Sequence, residues 1–462
     1  MNLKSGGRQN VRQQLDLKNL PTGETRQAGR EATEQLRAAS DPENPAGTHH
    51  LMEEVCEREN LKAALHRVRR NKGGAGVDGM TVGELAGYLK QHWLVIRGQL
   101  LSGTYEPKPV RRVEIPKPDA GIRKLGIPTV LDRFIQQAVM QVLQRRWDRT
   151  FSDSSFGFRP RRSAHQAVAQ AQTYIAKGYS WVVDLDLEKF FDRVDHDKLM
   201  GQIAKRVEDR RLLKLIRAFL NAGVMENGLV SISVEGTPQG GPLSPLLSNL
   251  VLDALDRELE RRGHRFVRYA DDCNIYVRSE RAGQRVMTSI TLFITQALKL
   301  KVNEAKSAVA RPQQRKFLGF SFSDGPEVKR VIAPKSLARF KQRVREIILR
   351  AKGVSLKTTM AELAAYLRGW RGYFGFCETP QVLVYLIRWV RLRLRAALWR
   401  QWKTPRRRRA ALIALGVSPP LATNTAGSGH GPWHLARSKA LSQGLRNAYF
   451  ESLGLPSFAE KR

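Results

Sequence analysis

The sequence predicts an α+β protein in which a mixed strand-and-helix region leads into a helical one. From Arg111 to about Phe322, strand and helix signals alternate. After about residue 330 the pattern changes to basic helices with apolar stripes. The chain has 462 residues, 42% of them hydrophobic, enough for a large core and two or three folded units.

The elements follow in order. Residues 1–48 are polar, with scattered Gly, Pro, Gln and Asn and no sustained period, and are expected to form a mobile arm. Helical spacing then runs from Leu51 to Arg70, ending in the glycine-rich loop Asn71–Gly79, which includes Lys72. Such loops can approach phosphates, but no strand precedes this one and no Lys-Ser/Thr follows it, so it is not a P-loop. Ser163 and Gln166 make a capping box, followed by Ala164, Ala167, Val168, Ala171 and Ile175 at helical spacing, with Gly178 at the stop. The run Trp181-Val-Val-Asp-Leu-Asp186 then reads as a buried strand. Further on, Leu337, Phe340, Val344, Ile347 and Ile348 form an apolar stripe ringed by Arg and Lys. A second basic helix is expected over Gln381–Trp402, carrying Arg391 and Arg395. The run Arg406–Arg409 follows, and Thr423–Gly431 reads as a linker.

Charge narrows the function. There are 79 Lys and Arg against 43 Asp and Glu, a formal net charge of +36. Such self-repulsion costs compact-state stability and is usually offset by a polyanion, most often nucleic acid. The plain alternative is a merely soluble basic protein. Cys56, Cys273 and Cys377 lie far apart with no Cys-x-x-Cys pair, which argues against a disulfide framework or a conventional zinc module. The sequence shows no signal-peptide pattern and no apolar run of membrane-spanning length, so the expectation is a cytosolic protein with no membrane contact.

The sharpest chemical signal is Phe266-Val-Arg-Tyr-Ala-Asp-Asp-Cys-Asn-Ile-Tyr-Val277, two strand-like segments flanking a turn with Asp271 and Asp272. Adjacent carboxylates repel unless a cation sits between them, and Mg²⁺ suits oxygen ligands and open positions. Alone, the pair also reads as a plain polar turn. Asp186 changes the balance, because a charge at the end of a buried strand is costly unless paired or metal-bound. Asp184 lies on the same face and is open to a salt-bridge role, while Asp192, Asp195 and Asp197 suit the start of a following helix. Two metals bridged by Asp186 and Asp271 would serve nucleotide addition. Lys117 and Arg123 flank a hairpin turn and could clamp a triphosphate, or could be solvated surface charges. In Gly236–Asn249, Gly240 and Gly241 would let a backbone approach a base pair or template, with Gln239 adding a polar contact. A turn plus helix start explains that segment equally well.

With these segments in this order, the chain closely resembles group II intron reverse transcriptase–maturases, from about residue 55 to near 405. The matching blocks are Ile115–Pro128, Phe156–Pro160, Val183–Asp192, Thr237–Asn249, Tyr269–Asp272, Leu300–Lys306 and Phe317–Phe320. The resemblance implies a right-hand fold of fingers and palm over 49–325, a helical thumb or maturase domain X over 326–405, and a basic DNA/RNA-binding tail over 406–462. It makes Asp186, Asp271 and Asp272 the catalytic carboxylates, holding two Mg²⁺ (or Mn²⁺) with the Leu187 carbonyl as a further ligand. It makes Phe191 the gate against ribonucleotides, and Lys117, Arg123 and Gln239 contacts for the dNTP. The loop with Asn71 and Lys72 would cover the template, and Gly240 would lie near it. The segment Tyr366–Phe374 looks like the maturase signature: Arg368 and Arg371 would face RNA, with Arg391 and Arg395 on the next helix. An aromatic core patch is the other reading of that segment, and both can hold.

The implied partners are group II intron RNA, target DNA, an RNA template with a DNA primer, and dNTPs, with oligomeric state left open. The implied activity is RNA-directed DNA synthesis together with intron splicing and homing. Many members of the family end in a His-Asn-His endonuclease domain with cysteine pairs, and neither pattern occurs here. The expectation is therefore priming from an existing DNA end. The alternatives are a retron, defence or CRISPR-associated reverse transcriptase, or an RNA-binding maturase whose polymerase is unused.

Overall fold

The computed structural model describes residues 47–117, 121–226, 229–231, 240–350 and 355–458. The expected N-terminal arm falls outside them except for its last two residues. Of these, Thr48 is buried and its hydroxyl accepts a hydrogen bond from the Glu208 N–H.

The expected helix from Leu51 to Arg70 is two helices, α1 (Leu51–Val55) and α2 (Arg58–Asn71). Asn60 explains the break: its amide donates to the Val55 carbonyl, one of the groups a helix end leaves unpaired, and to Ala138 O. Then come α3 (Leu85–Ser102), the hairpin β1 (Val110–Lys117) and β2 (Gly121–Ile127), and α4 (Val130–Trp147). Thr129 starts α4 by accepting from the Asp132 N–H while its own hydroxyl donates to the Asp132 carboxylate.

The capping box at Ser163 and Gln166 opens α5 (Ala164–Ala176), and β3 (Trp181–Leu185) follows as expected. Asp195 caps α6 (His196–Ala204) and Asp209 caps α7 (Arg210–Asn221). Strands β4 (Val224–Glu226) and β5 (Leu229–Ser231) join the fingers hairpin in a four-stranded sheet of order β2-β1-β4-β5. Helix α8 (Ser244–Arg261) leads to β6 (Arg265–Tyr269), β7 (Asp272–Val277), α9 (Glu280–Gln296) and β8 (Ala308–Ala310). The palm sheet runs β6-β7-β3-β8.

The two-residue period of these strands sorts the palm into two faces. Val183, Leu185, Phe266, Cys273 and Ile275 enter a core shared with the fingers helices. Val182, Val267 and Tyr276 point the other way, into a core shared with α5 and everything after Phe317. The sheet is thus the wall between two hydrophobic cores.

The second core holds β9 (Phe320–Phe322), β10 (Arg330–Ile332), α10 (Pro334–Arg350), α11 (Leu356–Phe374) and α12 (Gln381–Gln401). The expected stripe is real: Phe340, Val344 and Ile347 are buried on α10.

The region beyond 405 corrects two expectations. It is a folded helical unit over its described residues, not a tail: α13 (Pro405–Ala414), α14 (Pro419–Ala426), α15 (Pro432–Leu435), α16 (Lys439–Gly444) and α17 (Asn447–Ser452). Proline in the first turn of α13, α14 and α15 is tolerated because its missing N–H has no helical partner there. Phe458 stacks on Trp370 of the thumb at 6.0 Å between ring centroids. The expected linker from Thr423 begins inside α14, where the Thr423 and Thr425 hydroxyls donate to the carbonyls four residues back. That bonding satisfies the hydroxyls of a polar Thr-rich stretch within the helix.

Candidate active site

The carboxylates meet where three palm strands end. Antiparallel pairing sets Leu185 of β3 opposite Cys273 of β7, and Tyr269 of β6 opposite Asp272. One step beyond Leu185 on the same register brings Asp186 to the level of Asp272. Ala270 and Asp271 form the two-residue turn joining β6 to β7, with Ala270 in the left-handed region at φ +57°. The segment after β3 is clamped by the chain near residue 302. Asn303 N–H donates to Asp186 O, Glu188 N–H donates to Lys301 O, and Asp186 N–H donates to Ser307 Oγ at 3.0 Å. The two backbone bonds bypass the Leu187 carbonyl, which lies between them.

The electrostatics separate the acids. Asp184 is half-buried and one of its oxygens is taken up structurally: Arg315 Nε and Nη2 both donate to its Oδ2, at 2.8 and 2.6 Å. Burial pushes its pKa up and Arg315 opposes the rise. The salt-bridge reading of Asp184 therefore describes its contacts. Asp272 opens to the cleft yet is hemmed in by protein; that enclosure, then the charges of Asp271, Asp184 and Asp186, push it up to about 6. Asp186 faces the Lys306 ammonium at 3.5 Å.

Among the described residues, no three His, Cys, Asp or Glu side chains are gathered as a ready-made metal cage. The donor set still fits a hard cation. It consists of oxygens, its mutual repulsion is relieved by positive charge, and Mg²⁺ completes its shell with waters and substrate phosphates.

The other predicted residues fall into three groups. Phe191 sits in a 3-10 turn, Phe190–Asp192, half-buried with its ring 5.2 Å from that of Phe190. Lys117 and Arg123 lie towards the end of the β1–β2 hairpin where the chain crosses from β1 to β2; there Lys117 pairs with Gly121 and Arg123 with Ile115. Their side chains, and Gln239 altogether, lie outside the described residues. Asn71 ends α2 and Lys72 follows at φ +47°, both exposed.

Gly240 sits close to the protein's own backbone. Its φ is +135°, and a Cβ there would come within 2.6 Å of Gly126 O. The close approach that glycine permits is made to strand β2 of the same chain.

The thumb arginines divide as well. Arg368 is exposed, but Arg371 Nη1 donates to Ser457 O at 2.8 Å. Arg391 is largely buried against Glu451, and Arg395 gives two bonds to Leu445 O at 3.0 and 2.9 Å. Arg391 and Arg395 turn towards the protein, unlike the RNA-facing expectation, because α16 and α17 cover the α12 face that carries them, while Arg371 bonds at the surface to Ser457, beyond the last helix.

Sequence reasoning missed the support beneath the turn. Arg268 and Asp256 form an ion pair with both side chains fully buried. An arginine inside a strand otherwise lined by apolar residues was the available signal.

Two family profiles match the chain: "Reverse transcriptase (RNA-dependent DNA polymerase)" over residues 115–322, and "Group II intron, maturase-specific domain" over residues 337–412. The chain belongs to the group II intron-encoded reverse transcriptase/maturase family. The carboxylates at 186, 271 and 272 lie inside its reverse transcriptase domain, and Arg368, Arg371, Arg391 and Arg395 inside its maturase domain. Protein YkfC of Escherichia coli (strain K12) is 37% identical over 49% of this chain and 60% of its own length. The group II intron-encoded protein LtrA of Lactococcus lactis subsp. cremoris is 31% identical over 56% of this chain and 54% of its own. The chain thus spans less than two thirds of either relative. A solved partial Cas6-RT-Cas1–Cas2 complex matches at 24% identity over 54% of this chain and 43% of that one, with a TM-score of 0.35.

Proposed function

We propose that this chain is an RNA-directed DNA polymerase and an intron maturase, which binds group II intron RNA, assists its splicing and copies it into cDNA at a DNA target. The observation that carries the reading is the group of carboxylates at adjoining strand ends, Asp186 beside the Ala270–Asp271 turn, in a palm that leads directly into a maturase domain.

Asp186, Asp271 and Asp272, with the Leu187 carbonyl, would hold two Mg²⁺ ions. When bound, such ions lower the pKa of a primer 3′-hydroxyl and neutralise the triphosphate and its leaving group. The protein's own part is positioning. Asp186 directly follows β3 and Asp271 lies in the two-residue turn between β6 and β7, so the paired strands that flank them set their spacing. Phe191, backed by Phe190, crowds the sugar 2′ position and so selects dNTPs. Lys117 and Arg123 would reach the triphosphate from the fingers hairpin, and Asn71 and Lys72 would lie along the template.

RNA contact falls to side chains that face solvent. These include Arg368 on α11 and Arg406 and Arg407 on α13. Phosphate binding by such residues positions the nucleic acid without reading its sequence. Among the described residues no helix is long and apolar enough to cross a membrane. We place the protein in the cytosol with its RNA.

The test is primer extension on an RNA template with dNTPs and Mg²⁺, comparing wild type with Asp186→Ala and Asp271→Ala. Full-length cDNA from the wild type alone is expected, with template affinity of the variants within a few-fold. Near-wild-type synthesis by either variant refutes the metal site. No product from any of them, with template binding intact, leaves an RNA-folding cofactor as the reading.

A further inference from the structure

The Ala270–Asp271 turn demands support. Ala270 carries a Cβ yet adopts φ +57°, a conformation that an L-residue avoids unless its surroundings impose it. The support comes from Arg268, two residues earlier on β6. Its side chain and that of Asp256 on α8 are both 0% exposed.

A guanidinium has five N–H donors in a planar fork, and here each has an acceptor. Nε donates to Asp256 Oδ1 at 2.7 Å and Nη2 to Asp256 Oδ2 at 2.6 Å. Nη2 also donates to Ser155 Oγ at 2.8 Å. Nη1 donates to Asn249 Oδ1 at 3.0 Å and to the Ala270 carbonyl at 2.9 Å. The last bond ties the turn itself to a rigid fork. Neighbouring backbone reinforces it: Arg268 N–H donates to Ser154 O, and Phe156 N–H donates to Arg268 O. Asn249 also donates to Gly157 O, and a Cβ on Gly157 would collide with the Ala270 backbone.

A buried ion pair is a poor source of net stability, because desolvation offsets most of the attraction. Here its geometry has a clear object. We propose that Arg268 is a positioning residue: its guanidinium, oriented by Asp256, holds the Ala270 carbonyl and so sets where Asp271 presents its carboxylate. This rests on the polymerase reading of the site. Its role is distinct from that of Asp271, since Arg268 is sealed from any substrate.

The experiment compares full-length wild type, the double variant Arg268→Met/Asp256→Leu, and Arg268→Lys. The double variant removes both charges together and leaves neither orphaned. Readouts are kcat and KM for dNTPs on a DNA primer annealed to an RNA template, thermal unfolding, and Mn²⁺ affinity by electron paramagnetic resonance. For the double variant a folded protein is expected, with kcat lower by roughly 100-fold and KM little changed, since displacing a reacting group by about 1 Å has that cost. Mn²⁺ affinity should fall about ten-fold or more, as for other supports behind a metal ligand. Arg268→Lys keeps the pair charged but cannot span the same acceptors, so it should show the same kcat loss without rescue. It also serves if the double variant does not fold. Wild-type kcat and Mn²⁺ affinity in either folded variant overturn the proposal, as does a loss confined to thermal stability. A wild type that binds Mn²⁺ but extends no primer refutes the polymerase reading alone, and the Mn²⁺ comparison still decides the role of Arg268.

Discussion

At the strand ends of the palm sheet, Asp272 sits among Asp271, Asp184 and Asp186, and that enclosure and crowding push its carboxyl up to about 6. In the thumb, Arg391 and Arg395 lie against α16 and α17, bonded to Glu451 and to the Leu445 carbonyl. Both regions are dense in one sign of charge. Only the palm keeps like charges together with a face open to the cleft. The thumb takes its half-buried arginines inward and leaves others, such as Arg368, to solvent. A run of like charge therefore does not identify a binding surface; the partners that the fold supplies to each side chain do.

This contrast can be sharpened by four substitutions. The largest effect is expected from Phe191→Ala beside the carboxylates, where discrimination against ribonucleotides should fall roughly ten-fold or more, read by competition between rNTPs and dNTPs. Unchanged preference would remove Phe191 from the site. In the thumb, Arg395→Ala should lower stability by about 1–3 kcal/mol, since it strips the bonds from the Leu445 carbonyl. Arg368→Ala, by contrast, should leave stability within about 0.5 kcal/mol while weakening RNA binding and lowering its salt slope by about one. Thermal unfolding and salt-dependent RNA titration separate the two; equal behaviour would erase the inward–outward division.

The smallest effect concerns Asp272. Its folded pKa lies above the ordinary carboxylate value of 3.8, so the folded state holds the proton more tightly than the unfolded one. Without metal, stability should fall as pH rises from about 4 through about 6, then level off. Asp272→Asn should therefore raise the melting temperature slightly at pH 7.5, with the difference vanishing near pH 4. A variant that melts lower at pH 7.5 would show that the native carboxylate is stabilised, contrary to the crowding described here. The same sign makes Mg²⁺-dependent synthesis weaken below about pH 6, as proton and cation compete for one carboxylate.

Much was legible in the residues because the signals were local. The capping box at Ser163 and Gln166 starts its helix, the apolar run at Trp181 makes its strand, and the Tyr269–Asp272 segment makes its hairpin. Helix starts and strand periods depend on neighbours a few positions apart, so a single sequence carries them. The break at Cys56 was not legible, because it depends on Asn60 reaching Ala138. Nor was the fate of Gly240, whose backbone meets Gly126 from a distant strand. The helices after 405 misled for a related reason: Thr and Asn are weak helix formers in isolation, and burial of Ala422 and Ala426 in a helix packed against α13 and α16 outweighs that preference.

By itself, then, the sequence determined the kind of chemistry: Asp186 at a strand end, a tight turn bearing Asp271 and Asp272, a chain basic enough to need a polyanion, and an order of segments matching one enzyme family. Each is a property of residue type and short spacing. Tertiary structure alone decided which charges are spent inside the protein. Asp184 goes to Arg315, Arg395 to Leu445, and Arg268 to Asp256 and the Ala270 carbonyl. A charged side chain does not record in its own neighbourhood whether a partner will arrive from a hundred residues away, and burial makes that partner decisive, since an unpaired charge is costly only where water is excluded.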